Sequence, residues 1–333
     1  MGTWRGFFSV SLPLARPAIV AGIALALMET LADYGTVAYF AVNTFTTGIY
    51  RAWFSLGDRI AAAQLAAMLL AFVLFLLMAE RTSRGRARYN NTTGRNRPMA
   101  GAQLRGLSAW LATLVCAVPL LLGFILPAIL LLKMALTEGD AQFGERFLVL
   151  ARNSFVLAGV TATIAVLLAL LMGYGARLSK TAFANGLNRL VGLGYAVPGA
   201  VIAVGVLIPV TRLDNWLAGQ WEVWFGHNPG LLLTGGIAAL IYAYLVRFLA
   251  VALHTVESSL AKITPNMDDA ARSLGLGQGE TLRRVHIPML RGSLLTAGLL
   301  VFVDVMKELP ATLVMRPFNF DTLATQAYTL ASD

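Results

Sequence analysis

Four carboxylates stand inside stretches of the chain that are otherwise apolar. Glu29 and Asp33 are four residues apart near the start, and Asp304 and Glu308 repeat the same spacing near the end. Residues four apart share one face of a helix, so each pair would point its carboxylates in one direction. Carboxylate oxygens suit hard cations. The four side chains therefore predict a candidate translocation path for a positively charged solute, with no metal ligand firmly assigned.

A structural role for the same acids is the alternative. Lys307 lies three residues from Asp304 and could neutralise it, which would leave polar side chains that hold helices together. In a separate apolar stretch, Pro198 and Gly199 either break a helix beside the path or only kink it. A kink is the favoured interpretation, although Pro198 is kept among the candidate path residues.

No catalytic set accompanies these acids. His227, His254 and His286 are scattered along the chain, so no histidine metal site is predicted. The glycine-rich run from Gly275 to Gly279 is not preceded by a predicted strand, as a dinucleotide-binding loop would be. A membrane enzyme is therefore the disfavoured class of function, and no catalytic residue is predicted.

The elements that must position the acids are membrane-spanning helices. Hydrophobic residues make up 57% of the 333 positions and charged residues 13%, against roughly 45–50% and about 25% in soluble domains. The apolar residues come in blocks long enough for a helix to cross roughly 30 Å of hydrocarbon. We therefore predict an all-α polytopic membrane protein with about seven spans: 15–38, 60–79, 108–134, 154–176, 190–210, 231–253 and 293–315.

The basic residues give these spans an orientation. Part of the formal net charge of +9 falls in the linker 80–107, and basic loops lie on the cytoplasmic side of a membrane. The amino terminus is therefore predicted to be cytoplasmic and the carboxyl terminus outside. Because no recognised nucleic-acid-binding fold accompanies these arginines, we expect contact with the lipid bilayer and no nucleic-acid partner. The linker arginines are Arg81, Arg84, Arg86, Arg88, Arg95, Arg97 and Arg105.

The two ends of the chain repeat each other. A shift of 275 positions aligns them without a gap. The matched pairs include Pro13 with Pro288, Glu29 with Asp304, and Asp33 with Glu308. We therefore expect two homologous halves: 1–79 is the later part of a first half with two spans, 80–107 is a basic cytoplasmic linker, and 108–333 is a second half with five spans. The chain is expected to be truncated at both ends, with the last span of the second half missing.

One cytoplasmic loop carries the most specific pattern. Residues 269–288 read Asp269-Ala270-Ala271, three residues, Gly275, nine residues, then Val285-His-Ile287-Pro288. The pattern resembles the signature loop of the binding-protein-dependent ABC importer permeases, which reads Glu-Ala-Ala, three residues, Gly, nine residues, Ile-x-Leu-Pro. The first copy keeps only the tail of the pattern, which ends at Pro13. The resemblance implies that these residues form the loop that couples a permease to its ATPase.

Simple physical roles can be expected for this loop. Ala270 and Ala271 would give a short helix a smooth face for a groove in a partner, and Gly275 would reverse the chain with a positive φ. Pro288 would stop that turn before the next span. In the family this helix inserts into the ATPase subunit. Since the sequence has no Walker-type Gly-Lys-Ser/Thr motif, ATP and Mg are expected on that partner and no cofactor is expected on this chain.

Within these permeases the chain resembles the ferric-iron importers. The resemblance lies in 302–312, 316–322, 194–199 and 29–35. It implies a fused two-half permease of the bacterial inner membrane that moves ferric iron to the cytoplasm by alternating access, with a cytoplasmic ABC ATPase dimer and a periplasmic substrate-binding protein as partners. Sulfate, thiamine and polyamine permeases share much of the pattern. A permease for one of these solutes, or a non-functional fragment of a permease, is therefore the alternative.

Overall fold

The computed structural model describes residues 3–84, 104–137, 144–179 and 181–332. Within these ranges every regular element is helical, which confirms the all-α prediction. Of the linker arginines, Arg86, Arg88, Arg95 and Arg97 lie outside the described residues. The helices, numbered in chain order, are α1 (Leu12–Ala32), α2 (Gly35–Tyr39), α3 (Phe45–Tyr50), α4 (Arg59–Arg84), α5 (Leu107–Thr137), α6 (Glu145–Ser179), α7 (Ala182–Val191), α8 (Gly199–Phe225), α9 (Ala238–Leu260), α10 (Pro265–Ser273), α11 (Gln278–Met306), α12 (Pro310–Met315) and α13 (Leu323–Ser332).

The long helices match the predicted membrane spans in number. Among the described residues, six are long and apolar enough to cross a membrane, namely α4, α5, α6, α8, α9 and α11. A bent pair, Phe7–Arg16 and Ala18–Ala32, would add a seventh, with an angle of 54° between its parts. The chain is therefore a polytopic membrane protein, as its composition predicts.

The chain divides into two compact units. The larger contains Met1–Gly85 and Val149–Asp333, and the smaller contains Arg86–Leu148. The main element of the smaller unit is α5, in which no residue is buried. Its leucine-rich surface is the kind that a bilayer covers.

Two clusters of buried side chains hold the larger unit together. The first joins α6, α8, α9 and α11 around Leu157, Tyr244, Leu253 and Val301. The second joins α3, α4 and α8 around side chains such as Ile49. Because α8 belongs to both clusters, it connects the first copy of the repeat to the second.

Small residues let these helices approach one another closely. Ala158, Ala162, Ala165 and Ala169 of α6 are buried at spacings of three and four, so they share one helix face. Lipid tails are as apolar as leucine side chains, and helices in a membrane therefore associate through van der Waals packing and polar contacts. Small buried residues and polar side chains are therefore the contacts that hold these helices together.

The structure corrects three of the predicted spans. Where 15–38 and 293–315 were predicted as continuous helices, α1 ends at Ala32 and α11 at Met306, and each is followed by a short helix. Where 190–210 was predicted as one span, α7 ends at Val191 and α8 begins only at Gly199. Pro198, in extended conformation, precedes α8, so it lies in a helix break and does not kink a helix. Hydropathy alone does not detect such breaks.

Local structure recurs at the offset of 275 residues found in the sequence. A π-helical turn at Phe7–Ser11 precedes α1, and another at Leu282–His286 lies within α11. A single residue separates the end of each turn from a proline, which is Pro13 in the first copy and Pro288 in the second. Proline lacks an N–H and its ring crowds the preceding turn, which a widened turn relieves. Pro288 was predicted to stop a turn. It lies instead inside the continuous helix α11.

Candidate functional site

The four predicted carboxylates line one cavity. Its volume is about 350 Å³, and Glu29, Asp33, Asp304 and Glu308 all contribute to its wall. The first two come from the end of α1 and the break after it, and the other two from the corresponding part of α11. Asp304 and Glu308 were predicted to share one helix face. Asp304 lies in α11, but Glu308 lies beyond the end of that helix at Met306, so the two do not share a face. The helix break brings them to the same cavity nonetheless.

Glu308 is fixed in place by its surroundings. Its residue is only 4% exposed, and Oε1 accepts a hydrogen bond from Arg247 Nη1 at 3.0 Å. The carboxylate also accepts the backbone N–H groups of Ala311 at 3.1 Å and of Thr312 at 3.2 Å, together with the Thr312 hydroxyl at 3.1 Å. A buried charge is tolerated when it is paired and fully hydrogen-bonded. Glu308 thus anchors the first turn of α12 to α9.

Asp33 occupies the equivalent place in the first copy. Its Oδ1 accepts the backbone N–H of Thr36, in the first turn of α2, at 3.4 Å. Its own carbonyl oxygen accepts the Thr46 hydroxyl at 2.7 Å. The side chain is only partly buried. Asp33 therefore holds a short helix as Glu308 does, but through a longer and more exposed hydrogen bond.

Glu29 and Asp304 have partners that can be exchanged. The Tyr195 hydroxyl donates to Glu29 Oε1 at 2.8 Å, and Lys307 Nζ lies 3.0 Å from Asp304 Oδ1. The expected neutralisation of Asp304 by Lys307 is present, but the lysine side chain is 63% exposed and could turn away. These two acids are therefore the carboxylates of the cavity most available to a solute.

Arg247 was missed by the sequence reasoning, although a signal existed. It is the single charged residue of the predicted span 231–253, and charged residues inside spans are usually functional or paired. In the structure it lines the cavity and is 9% exposed. A Cβ on Gly199 would collide with Glu308 Oε1 and Arg247 Nη1, so a larger residue at the start of α8 would displace this ion pair. Pro198 is thus placed beside the cavity, but it is not part of its wall.

A second cluster fastens the helix that follows α9. Asp268, in the first turn of α10, accepts hydrogen bonds from Arg177 at 2.7 and 3.0 Å, and its Oδ1 lies 2.7 Å from His286 Nε2. Arg177 also donates to the carbonyl oxygens of Leu260 and Ile263 at 2.9 Å. Asp268 therefore connects α10 to α6 and to the start of α11.

The charge of Asp268 is stabilised by these partners. Partial burial by itself would raise the pKa of the Asp268 carboxyl, but the hydrogen bonds from Arg177 and His286 outweigh burial and hold the pKa below its usual value. No sequence pattern singles out Asp268, Arg177 or His286, because their proximity depends on how α6, α10 and α11 meet.

The signature residues of the loop mostly face away from this cluster. Asp269 is exposed and its Oδ1 pairs with Arg272 at 2.6 Å. Ala270 is exposed whereas Ala271 is buried, so the two alanines do not form one smooth outer face as predicted. Gly275 has a φ of 80°, which confirms the predicted reversal of the chain.

The other predicted loop residues lie along helices. Val285 and Ile287 are partly buried at the start of the apolar part of α11, and Pro288 is exposed beside them. Pro13 is exposed in the first turn of α1. Among the residues that the structure describes, no group of three or more His, Cys, Asp or Glu side chains could hold a metal ion.

Comparison with known proteins finds one matching family domain and several relatives. Residues 165–327 match the family described as binding-protein-dependent transport system inner membrane component. Over 326 residues the chain is 27% identical to a Fe(3+)-transport system permease protein of Haemophilus influenzae, covering 96% of this chain and 61% of that protein. It is 22% identical over 353 residues to a ferric transport system permease protein of Actinobacillus pleuropneumoniae, covering 98% of this chain and 48% of that protein.

A further relative is named for a different substrate. Over 175 residues the chain is 26% identical to a putative 2-aminoethylphosphonate transport system permease protein of Salmonella typhimurium, covering 53% of this chain and 56% of that protein. The chain thus spans about half to three-fifths of the length of these curated relatives.

The family match includes the features described above. Residues 165–327 contain Arg177, Arg247 and both cavity acids of the second copy, together with the whole of α10. The signature loop, the multi-pass helical architecture and the relatives along nearly the full chain agree with that match. Residues 165–327 therefore carry the domain of the inner-membrane components of binding-protein-dependent transport systems.

Proposed function

We propose that the chain is the transmembrane subunit of an ATP-driven importer that carries ferric iron towards the cytoplasm by alternating access. The observation that carries the proposal is the cavity in which carboxylates from both copies of the repeat meet. Carboxylates outnumber the basic side chains of its wall, so the cavity favours a cation. Two of the relatives that match nearly the whole chain are named as ferric or Fe(3+) permeases.

The cavity suits passage of an ion more than its retention. Glu29 and Asp304 each have one side-chain partner, a tyrosine hydroxyl and a lysine ammonium, which an incoming cation could replace. Asp33 and Glu308 instead accept backbone N–H groups from the short helices that follow α1 and α11. Conduction requires binding that is weak enough for the ion to leave, and a wall without a closed set of metal ligands meets that need.

The coupling would run through α10 and α11. The exposed side chains of Asp269, Ala270 and Leu274 would dock in a groove of a cytoplasmic ATPase subunit, on which ATP and Mg would bind. Movement of that subunit would pull α10, and the bonds of Asp268 would pass the pull to α6 and α11. Helix α11 spans 29 residues, or about 43 Å at 1.5 Å per residue, and it ends at the cavity. One rigid element therefore connects the two sites.

The arrangement in the membrane follows from this coupling. The chain is a multi-pass inner-membrane protein, and we infer that its amino terminus is cytoplasmic and its carboxyl terminus periplasmic. A periplasmic substrate-binding protein would deliver the solute from outside. We also infer that 1–79 and 108–333 belong to two homologous permease halves joined by the basic linker, because helix breaks and π-helical turns recur at the same offset. Catalysis of ATP hydrolysis is assigned to the partner.

Uptake measurements in cells that lack this gene test the proposal. Complemented cells would be given radiolabelled ferric iron, with 2-aminoethylphosphonate, thiamine, sulfate and spermidine in parallel. Replacing both available acids, Glu29→Gln with Asp304→Asn, should lower the initial rate of iron uptake about tenfold or more, equivalent to ~1.4 kcal/mol or more of barrier. The matched control is Glu222→Gln, which removes an exposed acid of α8 that does not line the cavity and should keep the rate.

Two results would contradict the proposal. Uptake of another solute in place of iron would remove the substrate assignment and leave the permease standing. Equal iron uptake by the double variant and the control would show that the cavity is not on the route. Quantifying each variant in isolated membranes separates a loss of transport from a loss of protein.

A further inference from the structure

A second polar cavity lies between α4 and α8, away from the acids. Its volume is about 610 Å³. Within the described part of the chain, none of its polar side chains has a hydrogen bond or an ion pair, apart from the contact of the Arg59 guanidinium with the Trp53 ring at 5.9 Å. The polar lining consists of Arg59, Gln64, Thr211, Arg212 and Asn215. Two guanidinium groups therefore face one cavity without a counter-ion.

The carboxylates nearest in sequence to these arginines are already engaged. Asp58 accepts the backbone N–H groups of Ile60 and Ala61 at 3.0 and 2.9 Å, which caps the start of α4. Asp214 is fully buried and accepts three backbone N–H groups and the Thr234 hydroxyl from the segment before α9. Neither acid pairs with the two guanidinium groups of the cavity, so their positive charge would attract an external anion.

The cavity lies at the end of the bundle far from α10. Helix α9 ends at Leu260 beside Arg177 and α10, and α8 runs antiparallel to α9. It starts against Arg247 at Gly199 and reaches the first residues of α9 near Pro209. Arg212 is thirteen residues beyond Gly199 along α8, which places it about 20 Å further from α10. The cavity also includes Arg59, the first residue of α4, so it lies where that span ends and a polar headgroup layer begins.

An apolar stripe leads away from the cavity along α4. Ile60, Met68, Phe72 and Phe75 are exposed, by 73, 59, 48 and 63% respectively, and their spacing places them on one side of the helix. Ile60 itself belongs to the cavity wall. A ligand with an anionic head and a long apolar tail could thus fill the cavity and lie along α4.

We propose that this cavity binds the headgroup of an anionic phospholipid from the membrane leaflet on the side opposite α10. The two guanidinium groups would bind the phosphate, since arginine forms paired hydrogen bonds with phosphate oxygens. Gln64, Thr211 and Asn215 would bind headgroup hydroxyls, and Trp53 lies where interfacial aromatic residues are common. Basic pockets between membrane helices hold anionic lipid headgroups on the cytoplasmic side of membranes, and the same chemistry is assigned here to the opposite leaflet. The lipid would brace α4 of the first copy against α8 of the second, and the site does not depend on what the permease carries.

Thermal unfolding of the full chain in detergent tests the site. Phosphatidylglycerol, phosphatidylcholine with the same acyl chains, and inorganic phosphate would be added separately. Phosphatidylglycerol should raise the unfolding midpoint by about 4 °C or more at hundredfold excess over its dissociation constant, and the other two additions should raise it by much less. The variant Arg59→Gln with Arg212→Gln should lose most of that rise.

The matched control removes the same charge elsewhere. Arg51→Gln with Arg152→Gln replaces two exposed arginines that do not line the cavity, and it should keep the full response. Equal stabilisation by the two lipids, or by inorganic phosphate alone, would overturn the proposal. So would an unchanged response in the cavity variant. If that variant does not fold, the comparison of the lipids on the unmodified chain still decides.

Discussion

The two copies of the repeat use the same backbone device but hold it with unequal strength. In each copy a long helix ends at the cavity, and an acid after its last turn accepts hydrogen bonds from the start of a short helix. Asp33 makes one such bond at 3.4 Å and stays partly exposed. Glu308 makes several at 3.1 to 3.2 Å, is buried, and also pairs with Arg247. The second copy is therefore the fixed side of the cavity.

The difference extends to the other end of the same helices. His286 of the second copy is fully buried and contacts Asp268 of α10. The residue 275 positions earlier is Ser11, which is exposed. Asp33 and Ser11 of the first copy thus occupy the positions that Glu308 and His286 occupy in the second. The first copy therefore forms a more accessible wall, and the second forms a braced wall whose helix also contacts α10.

The largest expected effect comes from releasing the braced wall. Glu308→Gln would leave Arg247 buried without its counter-charge, and breaking a buried pair from one side costs about 3–5 kcal/mol. We expect a large fall in the unfolding temperature of the purified chain and little protein in membranes. Asp33→Asn is the matched control in the first copy. Similar losses in the two variants would mean that the copies are equally braced.

The next effect concerns the point where the start of α8 meets the braced wall. Gly199→Ala would drive a methyl group into Glu308 and Arg247, and overpacking of this kind typically costs about 1–3 kcal/mol. Gly205→Ala is the control on the same helix, because a Cβ there meets nothing within 4 Å. We expect the first variant to lower the unfolding temperature and the second to leave it unchanged or slightly higher. An unaffected Gly199→Ala variant would show that the cavity wall yields easily.

Much of the fold could be predicted from the sequence, and the helix breaks could not. Apolar block length is a property of the sequence alone, and it predicted the helical class and the number of spans. The ends of α1 and α11 depend on acids that cap a following short helix, which is a tertiary arrangement. Gly35 and Pro310 at the starts of those short helices were the available signals, since both residue types interrupt helices.

The candidate site divides in the same way. The cavity acids could be found because carboxylates are expensive in apolar segments and because the repeat pairs them. Arg247 could have been found by the same reasoning. Asp268 could not, because the signature pattern directs attention to Asp269, and the two neighbours differ only in which way they face once α10 is packed. Facing direction on a short helix is decided by its contacts with α6 and α11.

A third substitution makes the second copy resemble the first where α11 meets α10. His286→Ser introduces the residue of the first copy and removes the hydrogen bond to Asp268. A hydrogen bond to a charged group contributes about 1.5–3 kcal/mol, and we expect a destabilisation near the lower value because Arg177 remains. Arg283→Ser, an exposed neighbour on the same turn, is the control. If both variants unfold at the wild-type temperature, His286 does not brace the second copy.

The same contact has a defined dependence on pH. Because hydrogen bonds from Arg177 and His286 hold the pKa of Asp268 below its usual value, its contribution to stability is present above the unfolded pKa of about 3.9 and is lost as the pH falls through the folded value. The difference in unfolding temperature between wild type and Asp268→Asn should persist at about pH 5 and above and close below about pH 4. A difference that closes near neutral pH would contradict this assignment.

The smallest effect is expected in the first copy, where it sharpens the comparison most. Asp33→Asn keeps a side-chain oxygen that can still accept the Thr36 N–H, and loss of a helix cap costs about 0.5–2 kcal/mol at most. With a bond already 3.4 Å long, we expect about 0.5 kcal/mol or less by thermal unfolding. Iron uptake is the more informative measurement, because Asp33 lines the cavity while contributing little to stability. A variant that folds normally but transports more slowly would show that the accessible wall serves the solute, whereas normal uptake would confine the role of Asp33 to its short helix.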